Sequence, residues 1–154
     1  MSGAADRLAA LGLTLPPVTA PVAAYVPAVR TGPYVYVSGQ LPVVDGKLPA
    51  VGKVGAEVSA EDAAGMARTC ALNAVAAAAS AAGGLEAIRR IVKVTGFVAS
   101  APGFGGQPQV INGASELLIE VFGEEGKHAR SAIGVAELPL NAPVEIELIA
   151  EVRD

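Results

Sequence analysis

Apolar and polar residues alternate along the C-terminal part of the chain. Every second residue between Val144 and Val152 is apolar, and Glu145, Glu147 and Glu151 occupy intervening positions. This alternation predicts a β-strand with one face on a hydrophobic core. Three carboxylates on the other face indicate either a solvent-exposed surface or a site lined with acidic groups.

Four more segments are rich in β-branched and aromatic residues and are bounded by turn-forming residues, as strands often are. They comprise residues 25–29, 34–38, 91–99 and 129–135. The sequence Thr31-Gly32-Pro33 is a turn signal, which predicts that the first two strands form a hairpin.

Two longer segments carry apolar residues at helical spacing. The first is predicted over residues 60–82, because the Ser59 side chain can cap the amide of Asp62 and Gly83-Gly84 can terminate a helix. The second is predicted over residues 107–122.

Three short elements complete the prediction: an amphipathic helix over residues 6–13, an extended connector over 16–21 and a helical turn over 86–90. The main elements follow the order β-β-α-β-α-β-β. This order favours an α+β fold in two layers, in which a mixed sheet carries two helices on one face. We expect residues 1–154 to form a single domain, with residues 1–21 as an N-terminal helical extension and connector.

The chain is strongly apolar, with 52% hydrophobic and 17% charged residues. This composition favours burial of apolar surface between subunits as well as in a core. The net charge of −4 and the lack of a Lys/Arg cluster argue against nucleic-acid binding. No segment has the length of a membrane span, and the N-terminal residues lack a signal-peptide pattern, so we expect a cytoplasmic protein.

A single cysteine, Cys70, and a single histidine, His128, limit the available chemistry. One cysteine excludes an internal disulfide, and the two residues cannot form a structural zinc site. We therefore expect no metal. Cys70 lies on the apolar stripe of the long helix, which indicates an inert core thiol.

Arg130 is the strongest candidate for a binding residue, because small and apolar residues surround it in a predicted strand. A guanidinium in such a place needs an anionic partner, and its planar fork suits a carboxylate. The alternative is a structural ion pair with a nearby glutamate. Glu145 is the second candidate, since a carboxylate beside a substrate can accept a proton from water. Its alternative is a solvated strand residue.

Two further side chains are candidates for lining a pocket. Tyr25 lies in the first predicted strand, where its ring can close a pocket and its hydroxyl can form a hydrogen bond, or where it can simply pack. Asn112 lies inside the second helix, although asparagine is a poor helix former. It points either at a pocket or at solvent.

Several motifs together resemble the Rid family of reactive intermediate deaminases, also called the YjgF or endoribonuclease L-PSP family. The resemblance covers about residues 22–152 and is closest to the longer, mostly uncharacterised branch. The motifs that carry it are Tyr36-Val37-Ser38-Gly39-Gln40-Leu41-Pro42, Ala129-Arg130-Ser131, Leu138-Pro139 and Val144-Glu145-Ile146-Glu147.

The resemblance implies a chorismate-mutase-like fold and a homotrimer with clefts between adjacent subunits. It also implies hydrolysis of 2-imino or enamine acids to 2-oxo acids and ammonia, without a metal or organic cofactor. Arg130 matches the family's substrate-carboxylate arginine, Glu145 the glutamate associated with water, and Tyr25 the tyrosine at the cleft mouth. Asn112 matches a family asparagine that shapes the site.

The chain departs from the family pattern at Ala132. Deaminases of the family commonly have a cysteine two residues after the arginine, whereas Ala132 offers only its backbone groups to a ligand. This departure motivates an alternative function, a non-catalytic trimer that binds small carboxylate metabolites. A third interpretation, RNA cleavage, is disfavoured by the acidic charge and the single histidine.

Overall fold

A five-stranded mixed sheet forms the centre of the fold in this computed structural model, which describes residues 2–18, 21 and 23–154. The strands are β1 (Ala28–Thr31), β2 (Tyr34–Gln40), β3 (Ile88–Ala99), β4 (Ala129–Val135) and β5 (Val144–Val152). Their spatial order is β1-β2-β5-β3-β4. The β3–β4 pair is parallel and the other pairs are antiparallel. β1 and β4 are therefore the two edges of the sheet.

Two long helices, α2 (Ala60–Ala82) and α3 (Gln107–Phe122), pack on one face of this sheet, which confirms the predicted α+β fold. α2 begins where the Ser59 hydroxyl accepts a hydrogen bond from the Asp62 amide at 3.0 Å. It ends at Gly83, whose φ of 96° suits glycine. The two helices cross closely, since a Cβ atom at Gly113 would lie 2.0 Å from the Ala64 carbonyl oxygen.

The two faces of the sheet differ in cover. The face towards α2 and α3 is buried, and its β5 residues are Val144, Ile146, Leu148, Ala150 and Val152. The opposite face is open and carries exposed apolar side chains. Tyr36 is 48% exposed, and Ile133 is 44% exposed. An uncovered apolar surface of this kind is typical of a protein that associates with partners.

The first strand begins at Ala28, so the prediction of a strand from residue 25 is wrong at its start. Pro27 has no N–H to donate to a ladder. The carbonyl of Val26 instead accepts a hydrogen bond from the Ser38 hydroxyl at 2.7 Å. Tyr25 consequently lies in a bend before β1 and not within the strand.

The predicted helical turn over residues 86–90 exists but is wrong at its end. A 3₁₀ turn covers Leu85–Ala87, and β3 already starts at Ile88. Ile88 pairs with Val152 of β5, and pairing across the sheet overrides the local helical pattern there.

A short N-terminal helix, α1 (Ala4–Ala10), occupies part of the segment predicted to be helical over residues 6–13. Its Ala5 amide donates a hydrogen bond to the Glu86 carboxylate at 2.8 Å, which attaches the helix to the start of β3. The predicted connector over residues 16–21 includes positions 19 and 20, which lie outside the described residues.

Candidate functional site

Three oxygen atoms of α3 hold the guanidinium of Arg130. The Nη1 atom donates to Oδ1 of Asn112 at 2.8 Å and to Oγ of Ser115 at 3.2 Å. The Nη2 atom donates to the carbonyl oxygen of Pro108 at 3.4 Å. All three acceptors are neutral, so they orient the guanidinium without neutralising its positive charge.

The structural alternative for Arg130, an ion pair with a nearby glutamate, does not occur among the described residues. Their ion pairs are Lys53–Glu137, Arg68–Glu120, Arg89–Glu151, Arg90–Glu125 and Lys127–Glu124. A half-buried, oriented and uncompensated guanidinium is suited to a carboxylate ligand, which it can bind through two parallel hydrogen bonds.

Ser115 and His128 belong to the surroundings of Arg130, although the sequence did not single out Ser115. The His128 Nε2 atom lies 2.9 Å from Ser115 Oγ, and Nδ1 lies 2.6 Å from the Gly126 carbonyl oxygen. Burial lowers the pKa of His128, and the charge of Arg130 lowers it further, while the Gly126 bond acts in the opposite direction. Two spacings could have revealed the group. Ser115 is three residues after Asn112 on a helix, and His128 is two residues before Arg130, immediately ahead of β4.

Ala132 lies on the same face of β4 as Arg130, opposite Gly96 of β3. The Ser100 amide donates to the Val135 carbonyl at 3.1 Å, so Val135 turns its backbone groups towards β3. Orientation alternates along a strand, and therefore Arg130 and Ala132 turn their N–H and C=O groups towards the open edge of the sheet. The edge thus offers backbone donors and acceptors beside the guanidinium.

Glu145 lies on the open face of the sheet, opposite Phe97 of β3. Its carboxylate extends over Gly39, where an added Cβ atom would lie 2.7 Å from Oε1. Burial raises the pKa of Glu145, and the nearby Glu147 carboxylate raises it further. A carboxylate of this kind is a stronger base than an ordinary glutamate.

Arg130 and Glu145 of the same chain do not meet. Arg130 is level with Val94 and points towards α3, whereas Glu145 is level with Phe97 and points to the other face. Two strand spacings and three residues along the strands separate their Cα atoms by about 14 Å. One small ligand therefore cannot contact both side chains of one chain.

Tyr25 is 56% exposed and lies apart from the Arg130 group. The carbonyl of the following residue, Val26, accepts a hydrogen bond from the Ser38 hydroxyl. Ser38 directly precedes Gly39, and the Glu145 carboxylate lies over Gly39. The five predicted site residues thus divide into two groups. Arg130, Asn112 and Ala132 lie at the β4 edge. Glu145 lies on β5, and Tyr25 lies before β1, next to the residue that Ser38 of β2 contacts.

A depression of about 290 Å³ lies on the open sheet face, between β1, β2, β5 and β3. Its polar lining includes Lys93, Thr95 and Glu147, and Arg130 does not contribute to it. In the described part of the chain, no three His, Cys, Asp or Glu residues are grouped to hold a metal ion. No helix in this described part of the chain combines the length and the apolar character that a membrane span requires.

Comparisons with known proteins agree with this architecture. The Trypanosoma cruzi protein TCP17 is 43% identical over 151 residues, which cover 97% of this chain and 94% of its own. The crystal structure of Atu1372 from Agrobacterium tumefaciens, a protein of unknown function, superposes with a TM-score of 0.90 and 48% identity. That match covers 97% of this chain and 92% of Atu1372.

A structure of Escherichia coli TdcF with bound serine is more distant, with a TM-score of 0.62 and 29% identity, and covers 88% of this chain and 92% of TdcF. The profile of one family, described as YjgF/chorismate mutase-like, putative endoribonuclease, matches residues 5–152. With nearly the whole chain matched in both sequence and fold, the protein belongs to the YjgF/chorismate mutase-like family.

Proposed function

We propose that the protein hydrolyses 2-imino and enamine acids to 2-oxo acids and ammonia, in clefts between the subunits of a homotrimer. The observation that carries this proposal is the guanidinium of Arg130, which is oriented by three neutral acceptors and has no carboxylate partner among the described residues. A substrate with a carboxylate next to its reactive carbon supplies the missing negative charge.

The separation of Arg130 from Glu145 supports a site that two subunits build together. Each chain offers Arg130 at its β4 edge and Glu145 on its open sheet face. In a closed ring, the edge of one subunit meets the open face of the next, and every interface then contains one complete site. Such an arrangement also covers the exposed apolar side chains of Tyr36 and Ile133.

The chemistry then requires only positioning and one base. Arg130 binds the substrate carboxylate, and Glu145 of the adjacent subunit accepts a proton as water adds to the imine carbon. The resulting aminoalcohol collapses to the 2-oxo acid as its C–N bond breaks. The substrate reacts as its protonated imine, so the nitrogen is neutral after water adds and takes the proton that Glu145 holds. Glu145 then accepts the hydroxyl proton as the C=O bond forms and ammonia departs, and it releases that proton to solvent. An enamine substrate first gains a proton on carbon to become the imine.

The bound serine in TdcF supports the class of ligand, since serine carries a carboxylate next to its nitrogen-bearing carbon. Cleavage of RNA receives less support from this chain. Its net charge is −4, and its single histidine is hydrogen-bonded to Ser115 and Gly126.

The test is an assay in which an amino acid oxidase generates 2-iminopropanoate from alanine. The wild-type protein should accelerate the disappearance of the imine, and the Arg130→Ala variant should not. Arg30→Gln is the control, because Arg30 lies at β1, the opposite edge of the sheet. Imine decay at the uncatalysed rate, or an equal rate with Arg130→Ala, would contradict the proposal.

Ala132 favours a second candidate function, a trimer that binds small carboxylates without turnover. Its methyl group cannot supply the thiol that deaminases of the family commonly have there. Under this alternative, calorimetry shows binding of pyruvate while the imine assay shows no acceleration. Turnover gained by Ala132→Cys, but not by Ala132→Ser, would then identify the missing thiol as the reason.

A further inference from the structure

Ser115 connects the only histidine in the sequence to Arg130 through hydrogen bonds whose directions are fixed by chemistry. The Gly126 carbonyl can only accept, so His128 Nδ1 carries the proton and donates to it at 2.6 Å. The lone pair on Nε2 then accepts from the Ser115 hydroxyl at 2.9 Å. A guanidinium can only donate, so Ser115 Oγ accepts from Arg130 at 3.2 Å. Neutral His128 thus satisfies every partner.

Protonation of His128 changes this arrangement in two ways. The new Nε2–H donates to Ser115 Oγ, and the serine hydroxyl hydrogen must turn to another acceptor. A second positive charge also arises two residues before Arg130, on the other side of the Ser115 hydroxyl that both side chains contact. Both changes are unfavourable in an empty site, whereas a carboxylate on Arg130 provides the acceptor and the opposite charge.

We propose that Ser115 and His128 are positioning residues of the Arg130 site, and that a carboxylate bound on Arg130 is accompanied by a proton on His128. This inference rests on the proposed role of Arg130 as a carboxylate site. It does not depend on whether the bound acid is then hydrolysed.

Of the charged groups around His128, Arg130 is the one whose charge lowers the pKa of the imidazole. The charged groups on the surrounding elements are Lys127 and Arg130 beside it in sequence, Glu124 and Glu125 on the preceding turn, Glu116 on α3 and Lys93 on β3. Lys127 is paired with Glu124 at 2.8 Å, and Glu125 with Arg90 at 3.5 Å. Burial first and then the Arg130 charge lower the pKa of His128.

Linkage gives the sign of the pH dependence. If a carboxylate raises the pKa of His128, protonation of His128 must strengthen carboxylate binding by the same factor. Affinity therefore increases as the pH falls through the pKa of His128 in the complex, and it levels off below the pKa in the free protein. Uptake of one proton limits the increase to about tenfold per pH unit.

Nuclear magnetic resonance of the full chain tests the coupling directly, because its only histidine gives unambiguous ring signals. Pyruvate is the probe, and its uncharged analogue pyruvamide is the matched control. Saturating pyruvate should raise the pKa of His128, and pyruvamide should not. Without ligand, Arg130→Gln should also raise that pKa, while Arg30→Gln at the opposite sheet edge should leave it unchanged.

Calorimetry between pH 5 and 8 supplies the second readout. The affinity of the wild-type protein for pyruvate should increase towards low pH, and His128→Gln should bind with an affinity that does not change with pH. Ser115→Ala should weaken the dependence, and Ser115→Thr, which keeps the hydroxyl, should restore it. A purely structural role for Ser115 and His128 would change affinity without changing its pH profile.

The outcomes separate the two proposals. Absence of pyruvate binding at every pH overturns the proposed function together with this inference. Binding that leaves the pKa of His128 unmoved overturns the inference alone. An unchanged pKa in ligand-free Arg130→Gln overturns the coupling whatever the ligand result.

Discussion

Arg130 and Glu145 of one chain leave the sheet on opposite faces, the first level with Val94 and the second level with Phe97. No rotation of either side chain brings them onto one small ligand, because the sheet itself lies between them. If both residues act on the same substrate, they must come from different copies of the chain. Because of the strand register, joint action of the two residues requires assembly of at least two copies of the chain.

This relationship predicts that two inactive variants restore activity to each other. Arg130→Ala and Glu145→Gln should each be inactive in the imine assay. When they assemble together at equal amounts, about one quarter of the interfaces combine an intact Arg130 with an intact Glu145. Mixed trimers, prepared by co-expression with two affinity tags, should therefore recover about one quarter of the wild-type rate.

The control for this experiment is a mixture of Arg130→Ala with Asn112→Asp, two variants altered in the same group of residues. Every subunit in that mixture carries an altered Arg130 group, so no interface contains a complete site. Activity should therefore stay at the level of the variants alone. Inactive mixed trimers of the first kind would show that Arg130 and Glu145 do not share a site.

Asn112 should matter because it orients Arg130 without neutralising it. The isosteric change Asn112→Asp places a carboxylate 2.8 Å from Arg130 Nη1 and gives the guanidinium an internal partner. Carboxylate affinity should fall by tenfold or more, since a charge-assisted hydrogen bond contributes about 1.5–3 kcal/mol. Calorimetry with pyruvate measures the change. Equal affinity in Asn112→Asp would show that the ligand does not use Arg130.

The sequence predicted the fold well because its elements repeat simple periods. The alternation from Val144 to Val152 matches the observed strand β5, and the helices over residues 60–82 and 107–122 match at both ends. The boundaries that failed at Ala28 and Ile88 depend on pairing with other strands, Ala28 with Val37 of β2 and Ile88 with Val152 of β5. Local pattern does not contain those pairings.

The sequence offered candidate residues for the site but not their arrangement in the structure. Arg130 and Asn112 were identified separately, and the structure joins them at 2.8 Å. Ser115 was missed, because a serine in a helix has no distinctive pattern until its partner His128 is placed beside it. The opposite orientation of Glu145 follows from strand register, which a single sequence does not give.

Gly39 should be required for the position of the Glu145 carboxylate. A Cβ atom in Gly39→Ala would lie 2.7 Å from Glu145 Oε1, so the flexible carboxylate must move while the backbone can remain. We expect the imine rate to fall by more than tenfold, with a change in the free energy of unfolding below about 1 kcal/mol. Gly105→Ala is the control, because nothing lies within 4 Å of an added Cβ there. A fully active Gly39→Ala variant would separate Glu145 from the chemistry.

His128 should make the stability of the protein depend on pH. Its pKa is lowered from 6.5 in the folded state, so the unfolded chain takes up the proton first. The contribution of neutral His128 to the free energy of unfolding is complete above pH 6.5. This contribution is lost as the pH falls from there through the pKa of His128 in the folded state. The slope should not exceed about 1.4 kcal/mol per pH unit.

Urea unfolding of wild type and His128→Gln at pH 5, 6, 7 and 8 measures this contribution, at one protein concentration throughout. The comparison concerns the slope with pH, since the substitution also changes hydrogen bonds. The wild-type protein should lose more stability than the variant between pH 7 and pH 5. Parallel curves for the two proteins would contradict the lowered pKa.

Two glycines within helices should respond to alanine in opposite ways. An added Cβ at Gly113 of α3 would lie 2.0 Å from the carbonyl oxygen of Ala64 in α2, and neither backbone can yield without separating the helices. Gly113→Ala should therefore lower the free energy of unfolding by about 3 kcal/mol. Gly65 of α2 has open space within 4 Å, so Gly65→Ala should raise it by up to about 1 kcal/mol, the gain in helix propensity. Urea unfolding at fixed protein concentration measures both changes, and equal effects of the two substitutions would refute the close crossing of α2 and α3. Because Gly113 adjoins Asn112, a separation of the helices should also weaken the hold on Arg130 and reduce pyruvate binding.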